Sequence, residues 1–241
     1  HRVVVEQFLK GIEFSVFVLT DGHNWHLLPE AKDYKRAGEG DTGPNTGGMG
    51  AVSPVPFAND ELMEKVKSRI IQPTIDGLQA ENIPYCGFIF FGLMVQDGEP
   101  FVIEYNCRMG DPETEVVLPR LKSDFVALLL HCARGSLART RVRTDERAAT
   151  TVFLVSGGYP GPYTKNQSVT GLDQLRQGIA FHAGMRLHEG RLLTDGGRVV
   201  ALTALGKDHV TALKRSNRNA AIVRFQGKYY RRDIGQDVIS G

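Results

Sequence analysis

DYKRAGEGDTGPNTGGMGA, from Asp33 to Ala51, is the stretch on which the reading of this chain turns. Gly38, Gly40, Gly43, Gly47, Gly48 and Gly50 are interleaved with Lys35, Arg36, Asp41, Thr42, Asn45 and Thr46. Glycines relax the backbone and let main-chain N–H groups approach a ligand closely. Two adjacent cations, hydroxyls and an amide suit a phosphorylated ligand. A flexible linker needs the glycines but not the Lys-Arg pair. A long loop of this composition inside a compact domain therefore reads as a binding loop. Six glycines are costly to fix. The expectation is a lid, mobile alone, that orders over its ligand.

Further along, residues 101–115 read FVIEYNCRMGDPETE. Phe101, Ile103 and Tyr105 alternate with Val102, Glu104 and Asn106, the period of a strand. Side chains two apart share a face, so Glu104 and Asn106 project together, with Arg108 on the same parity and Cys107 turned the other way, into core. A carboxylate beside an amide oxygen suits Mg²⁺, which shares its shell with waters and substrate phosphates. Asp111 and Glu113 fall on the following loop. The preceding run, GFIFFGLMV (87–95), is apolar on both faces, as in a buried sheet.

Outward from these two segments, VVVEQFLKGIEFSVFVL reads as strands over about 2–9 and 12–20 around a Lys10-Gly11 turn. Trp25 reads as packing in a following strand. Leu62, Val66, Ile70 and Ile71 give a helix over about 60–80, capped by Asn59 or Asp60, which Pro73 should kink or end. A second helix over about 123–134 is capped by Ser123 and stopped by Gly135. Its Phe125-Val126 and Leu128-Leu129-Leu130 face a sheet. Near 136–147 the charged stretch RTRVRTDER marks a boundary. Strands ATTVFLVS, FHAGMRL and LLTDGGRVVALTAL follow, the last with an Asp-Gly-Gly turn between two strands, and then a polar helix from Asp208 to about Ala221.

Composition narrows the classes. The 241 residues carry 29 basic and 27 acidic side chains, a net charge of +2, which leaves no nucleic-acid footprint. The Arg134–Arg147 cluster is interrupted by Asp145 and Glu146, with no aromatics among them. Three cysteines, Cys86, Cys107 and Cys132, have neither metal spacing nor the even number of a disulfide framework. The seven histidines are scattered, so none is assigned to a metal. No run approaches the roughly 18 apolar residues of a membrane span, and the first residues do not read as a signal peptide. A cytoplasmic chain, without membrane or nucleic-acid partners, is the expectation.

The two segments, in this order, resemble the ATP-grasp ligases. KRAGEGDTGPNTGGMGA, IEYNCRMGDPETE, SGGYPGPY and YYRRDIG narrow the resemblance to the phosphoribosylamine–glycine ligase family, over about residues 2–235. It implies an α+β fold: the second half of an ATP-grasp domain (1–136), a linker (137–147) and a small strand-rich C-terminal domain (148–241). The implied reaction is phosphorylation of the glycine carboxylate by ATP. The amine of 5-phosphoribosylamine then attacks glycyl phosphate, giving glycinamide ribonucleotide, ADP and phosphate in de novo purine synthesis. Such chemistry is positioning and charge neutralisation, and needs no Ser or Cys nucleophile. The resemblance makes Glu6, Gln7, Phe8 and Leu9 the hinge that reads adenine and Glu13 the ribose acid. It places Lys35, Arg36 and Arg108 at the reacting phosphoryl groups. Asp41, Thr42, Asn45, Thr46, Gly47, Gly48, Asp111 and Glu113 become substrate residues, and Glu104 and Asn106 the ligands of Mg²⁺ or Mn²⁺.

The chain also departs from that family. His1-Arg2 leads straight into the hinge strand, so it resembles the C-terminal part of a longer, monomeric protein, and the isolated stretch is expected to be inactive. Gln7 stands where a second acid is frequent and Tyr34 where His is frequent. Leu93 and Met94 replace an upstream metal-binding acid, so only two protein metal ligands are nominated. Another ATP-grasp carboxylate–amine ligase, or a non-catalytic fragment keeping the fold, would share much of this pattern.

Overall fold

The computed structural model describes residues 3–240. Its elements run β1 (Ile12–Thr20), β2 (Trp25–Leu27), β3 (Lys32–Asp33), β4 (Arg36–Gly38), β5 (Thr42–Asn45), β6 (Gly50–Ser53), α1 (Asp60–Val66), α2 (Gln72–Ala80), β7 (Gly87–Gln96) and β8 (Glu99–Asn106). There follow α3 (Thr114–Val117), α4 (Phe125–Ala133), β9 (Ala148–Val155), β10 (Ile179–His182), β11 (Met185–His188), β12 (Arg191–Thr194), β13 (Arg198–Gly206), α5 (His209–Ile222) and α6 (Gln236–Ser240). The strands form antiparallel sheets, as an α+β chain of this pattern should.

The first sheet has the order β2-β1-β7-β8. IEFSVFVLT alternates between two apolar environments. Phe14, Val16 and Val18 pack on Leu62, Val66, Ile70, Ile71 and Ile75 of the helical layer. Phe17 and Leu19 face the other way, towards Phe90, Val116, Leu128 and Leu137. Burial on both faces explains the near-continuous apolar runs of β1 and β7. Asn59 caps α1 by accepting from the Leu62 N–H at 2.9 Å. The helix does not end at Pro73. A single π turn over Lys67–Ile71 joins α1 to α2, and Pro73 lies in the first turn of α2, where its missing N–H is best tolerated.

Residues 3–10 form no strand, although one was expected over 2–9 (residue 2 lies outside those described). The physical reason is a lack of free edge. β1, the strand expected to pair with it across the Lys10-Gly11 turn, is flanked by β7 on one side and by β2 and Ala31 on the other, so its Ser15–Thr20 edge is already taken. Val5 is 91% exposed and Phe8 82%.

The second sheet, β10-β13-β9-β6-β3, crosses the 137–147 stretch: β6 pairs with β9, Val52 opposite Thr150. The glycine-rich stretch thus starts on β3, ends on β6, and projects between them as the β4–β5 hairpin. α5, capped by Asp208, packs on β9 and β13. The Asp195-Gly196-Gly197 turn joins strands of different sheets, since β12 pairs with β11 and β13 with β9 and β10. The 137–147 stretch is largely exposed but anchored at both ends: Leu137 is fully buried, and buried Arg120 donates to the Asp145 and Arg147 carbonyls and to Ser53 Oγ.

Three further expectations are corrected. Asp124, not Ser123, caps α4, accepting from the Ala127 N–H at 2.8 Å, while Ser123 bonds the 141–143 backbone. Of the α4 stripe, Leu128 is buried, but Val126 is 65% and Leu130 48% exposed, because the helix shows the sheet only the face carrying Leu128 and Cys132. Cys107 is exposed rather than core. It lies just past the end of β8, an edge strand, where the sheet no longer gives it a packed face.

Leu137→Ala should lower stability by about 3 kcal/mol, the usual cost of a large-to-small change at a fully buried site. Val126→Ala should cost less than about 0.5 kcal/mol. Urea denaturation of both variants checks the assignment of the two positions.

Candidate functional site

The site is built on the face of the first sheet turned away from α1 and α2. In the β1–β7 register Glu13 pairs with Met94 and Ser15 with Gly92. In the β7–β8 register Gly92 pairs with Glu104 and Phe90 with Asn106. Glu13, Ser15, Glu104 and Asn106 therefore share one face. The strict alternation expected along 101–106 fails at Ile103, where the register slips: Leu93 opposes Val102 and Gly92 opposes Glu104. The bulge leaves Glu104 and Asn106 on a common face. Gly92 gives Glu104 its room, since a Cβ there would stand 2.9 Å from Glu104 Cγ. Arg108 lies beyond the strand, with its guanidinium 5.9 Å from the Phe90 ring centroid, and so on that same side.

The opposite wall comes from the glycine-rich stretch. Lys35 Nζ lies 2.8 Å from a Glu13 carboxylate oxygen. Burial alone would lower the Lys35 pKa, but Asp33, Glu13 and Glu104 outweigh it and raise it. Asp33 is itself raised, by burial above all, against the pull of Lys35. Glu113 is buried behind them and accepts from Ser15 Oγ at 2.8 Å. Burial, and then the charge of Asp33, push it up to about 7.

The stretch is not a loose lid. Arg231, 1% exposed, donates to the Arg36 carbonyl and to Asp41 at 2.7 Å, and forks onto Asp233. Asp233 in turn accepts from the Gly40 N–H at 2.8 Å, and Glu39 from the Arg232 N–H at 3.0 Å. The far end is tied by Arg198, whose guanidinium donates to the Gly47 carbonyl at 2.7 Å and grips the Asp111 carboxylate at 2.8 and 2.5 Å. Tyr159 Oη accepts from the Gly47 N–H. Gly48, at φ +113°, meets cis-Pro112 so closely that a Cβ would fall 2.4 Å from the proline ring. The hairpin is thus tied at both ends in this structure. Its partners lie from Pro112 to Asp233, out of reach of a local reading.

Between these walls is a cavity of about 670 Å³. Glu13, Lys35, Arg36, Asp41 and Asn45 line it, together with Asp33, Met94 and the cluster Lys32–Tyr34–Asp237. In that cluster Asp237 accepts from Lys32 at 2.6 Å and from Tyr34 at 2.5 Å, and these bonds outweigh burial to hold its carboxyl low. A narrow adjoining pocket shares Glu13, Asp33 and Lys35 and adds Ser15 and Glu104. Thr42 and Thr46 spend their hydroxyls within the stretch, on the Glu39 and Lys35 carbonyls. Gly47, Gly48 and Asp111 sit at the Arg198 tie. Glu6, Gln7, Phe8 and Leu9 lie on the segment leading to Gly11 at the cavity wall. The sequence reading missed Asp33, Lys32, Asp237, Arg198 and Arg231. Asp33 opens the quoted stretch and Arg231 lies in YYRRDIG, so both were visible as letters but not as partners.

A carboxylate-bearing antiparallel sheet facing a glycine-rich hairpin across a polar cavity places this chain among the ATP-grasp folds. An L-amino acid ligase from Bacillus licheniformis shares the fold alone, at a TM-score of 0.59 and 18% identity over 91% of this chain and 55% of that one. The chain belongs to the phosphoribosylglycinamide synthetase family: residues 1–114 match its ATP-grasp (A) domain and residues 149–237 its C domain. Phosphoribosylamine–glycine ligase of Chlorobaculum tepidum is 46% identical over 237 residues, 97% of this chain and 56% of that protein. The crystal structure of phosphoribosylamine–glycine ligase from Thermotoga maritima superposes with a TM-score of 0.87 at 38% identity, over 95% of this chain and 57% of that one. The chain thus spans little more than half the length of the relatives it matches.

Glu113 yields a pH test. Its folded pKa of about 7 lies above the ordinary 4.5, so folding favours the protonated acid. Its contribution is fully present below pH 4.5 and is lost as pH rises through 7. Glu113→Gln keeps a partner for Ser15 without the charge. It should match wild type near pH 4 and exceed it by about 3 kcal/mol near pH 8. Urea midpoints at the two pH values give the answer.

Proposed function

We propose that this chain supplies the second half of the ATP-grasp domain and the C-terminal domain of an ATP-dependent ligase that joins glycine to 5-phosphoribosylamine. The divisions proposed are 1–136, 137–147 and 148–241. The observation that carries the reading is the meeting of Glu13 on the sheet, with Glu104 in the adjoining pocket, and Lys35, Arg36, Asp41 and Asn45 of the glycine-rich stretch around one cavity. Acids for ribose and metal, and cations for phosphoryl oxygens, then meet across a space suited to a nucleotide and a small phosphorylated amine.

In this reading the Glu6–Leu9 backbone reads the adenine and Glu13 the ribose hydroxyls. Lys35, Arg36 and Arg108 neutralise phosphoryl oxygens while the glycine carboxylate is phosphorylated and while glycyl phosphate is opened by the amine. Asp41, Thr42, Asn45, Thr46, Gly47, Gly48, Asp111 and Glu113 form and support the substrate wall, Gly47, Gly48, Asp111 and Thr46 through the ties that shape it. Family membership implies ATP use with a divalent cation. Glu104 and Asn106 offer one carboxylate and one amide oxygen, a hard-donor pair suited to Mg²⁺ or Mn²⁺ that leaves most of the shell to phosphates and water. Held there, such an ion would supply neutralisation of charge developing on phosphoryl oxygens. We further propose a monomer acting on small molecules in the cytoplasm. Among the described residues no helix is long and apolar enough to cross a membrane.

Glu104→Gln keeps the shape of the side chain and removes its charge. In a full-length ligase carrying this sequence it should lower turnover by about 100-fold or more and raise the Mg²⁺ concentration needed for half-maximal rate, with an unchanged urea midpoint. Near-normal turnover and Mg²⁺ dependence would place the metal elsewhere.

A further inference from the structure

The sulfurs of Cys86 and Cys132 stand 3.4 Å apart. Cys86 is exposed and immediately precedes β7, while Cys132 is buried near the end of α4. The Cys132 thiol donates to the Thr20 carbonyl at 3.0 Å, which holds its sulfur at the end of β1 beside its partner. The hollow at Cys86 is walled by Asp21, His23, Gln79 and Tyr85, and shares no residue with the cavity of the ligase site. A disulfide brings its sulfurs to roughly 2 Å, so closing a further gap of about 1.4 Å is a matter of side-chain rotation. Burial pushes the Cys132 thiol up to about 12, and Cys86 is the member of the pair that meets a dissolved oxidant. The third cysteine, Cys107, is also exposed and lies beside the Tyr85 phenol.

We propose that Cys86 and Cys132 form an oxidative modification site, a dithiol that a hydroperoxide converts into an intramolecular disulfide. Cys86 sulfur attacks the peroxide oxygen, breaking the O–O bond to give a sulfenic acid and releasing the alcohol or, from hydrogen peroxide, water. Cys132 sulfur then attacks the sulfenic sulfur. The S–S bond forms, the S–O bond breaks, and the hydroxide leaves with the Cys132 proton as a second water. Two electrons pass from the thiol pair to the peroxide. The product staples the entry of β7 to the end of α4, at the layer where Leu19, Leu128 and Leu137 pack.

The purified, reduced chain is treated with a few equivalents of hydrogen peroxide, then denatured, and its thiols are counted. Wild type should fall from three free thiols to one, Cys107→Ser from two to none, and dithiothreitol should restore both. Cys86→Ser should keep its two thiols at the same dose. Trypsin leaves Cys86 and Cys107 on one peptide, residues 70–108, and Cys132 on residues 123–134. Cys107→Ser therefore assigns the cross-link without ambiguity, and the two peptides should appear joined. Oxidised Cys107→Ser should also unfold at higher urea than its reduced form. Equal thiol loss in Cys86→Ser, a cross-link through Cys107, disulfide-linked dimers on a non-reducing gel, or losses that dithiothreitol does not reverse would each overturn the assignment.

Discussion

Arg231 holds a charge almost wholly out of water, and the hairpin of the candidate site hangs on it. The cost of burying a guanidinium is met only where every donor finds an acceptor. Here Asp41, Asp233 and the Arg36 carbonyl share the task. Those bonds outweigh burial and raise the Arg231 pKa. A two-stranded, glycine-rich ribbon has little to hold it alone. Its shape is imposed by a residue nearly two hundred positions away, and through Asp41 and Arg36 that shape becomes the wall of the cavity.

The opposite wall works by contrast of charge. Glu13, Asp33, Glu104 and Glu113 crowd around a single lysine, Lys35. Such an excess of acid is unfavourable: burial above all, and the charge of neighbouring acids besides, drive Asp33 and Glu113 towards their neutral forms.

Much of this was readable in the letters. The double-sided apolar run of β7 announced a buried sheet, and Glu104 and Asn106 announced a shared face. The Asp33–Ala51 stretch announced a site. What escaped was non-local. The strand expected over 2–9 has the right residues, but the edge of its expected partner β1 is taken by β2 and Ala31. The Ile103 bulge follows from the pairing of β7 with β8, which composition does not encode. Cys107 and Val126 look like core residues, and they are exposed because the chain ends its ladder, or turns its helix, at those points. The ties of the hairpin to Arg198 and Arg231 span most of the chain, so no local reading finds them.

The interleaved second sheet also sets an order of assembly. β3 and β6 are made early and pair with each other, yet the other ladder partner of β6, β9, lies beyond the 137–147 stretch, with Val52 waiting for Thr150. On a ribosome the first half would emerge with β6 as a bare edge of Gly50, Ala51 and Val52, and loop closure of that span would have to precede any stabilising contact across it. The boundary visible in the family's domain matches is therefore not a seam along which the chain can be divided. A break there would leave each part with an open strand edge, the kind of surface on which chains pair with one another instead of with themselves.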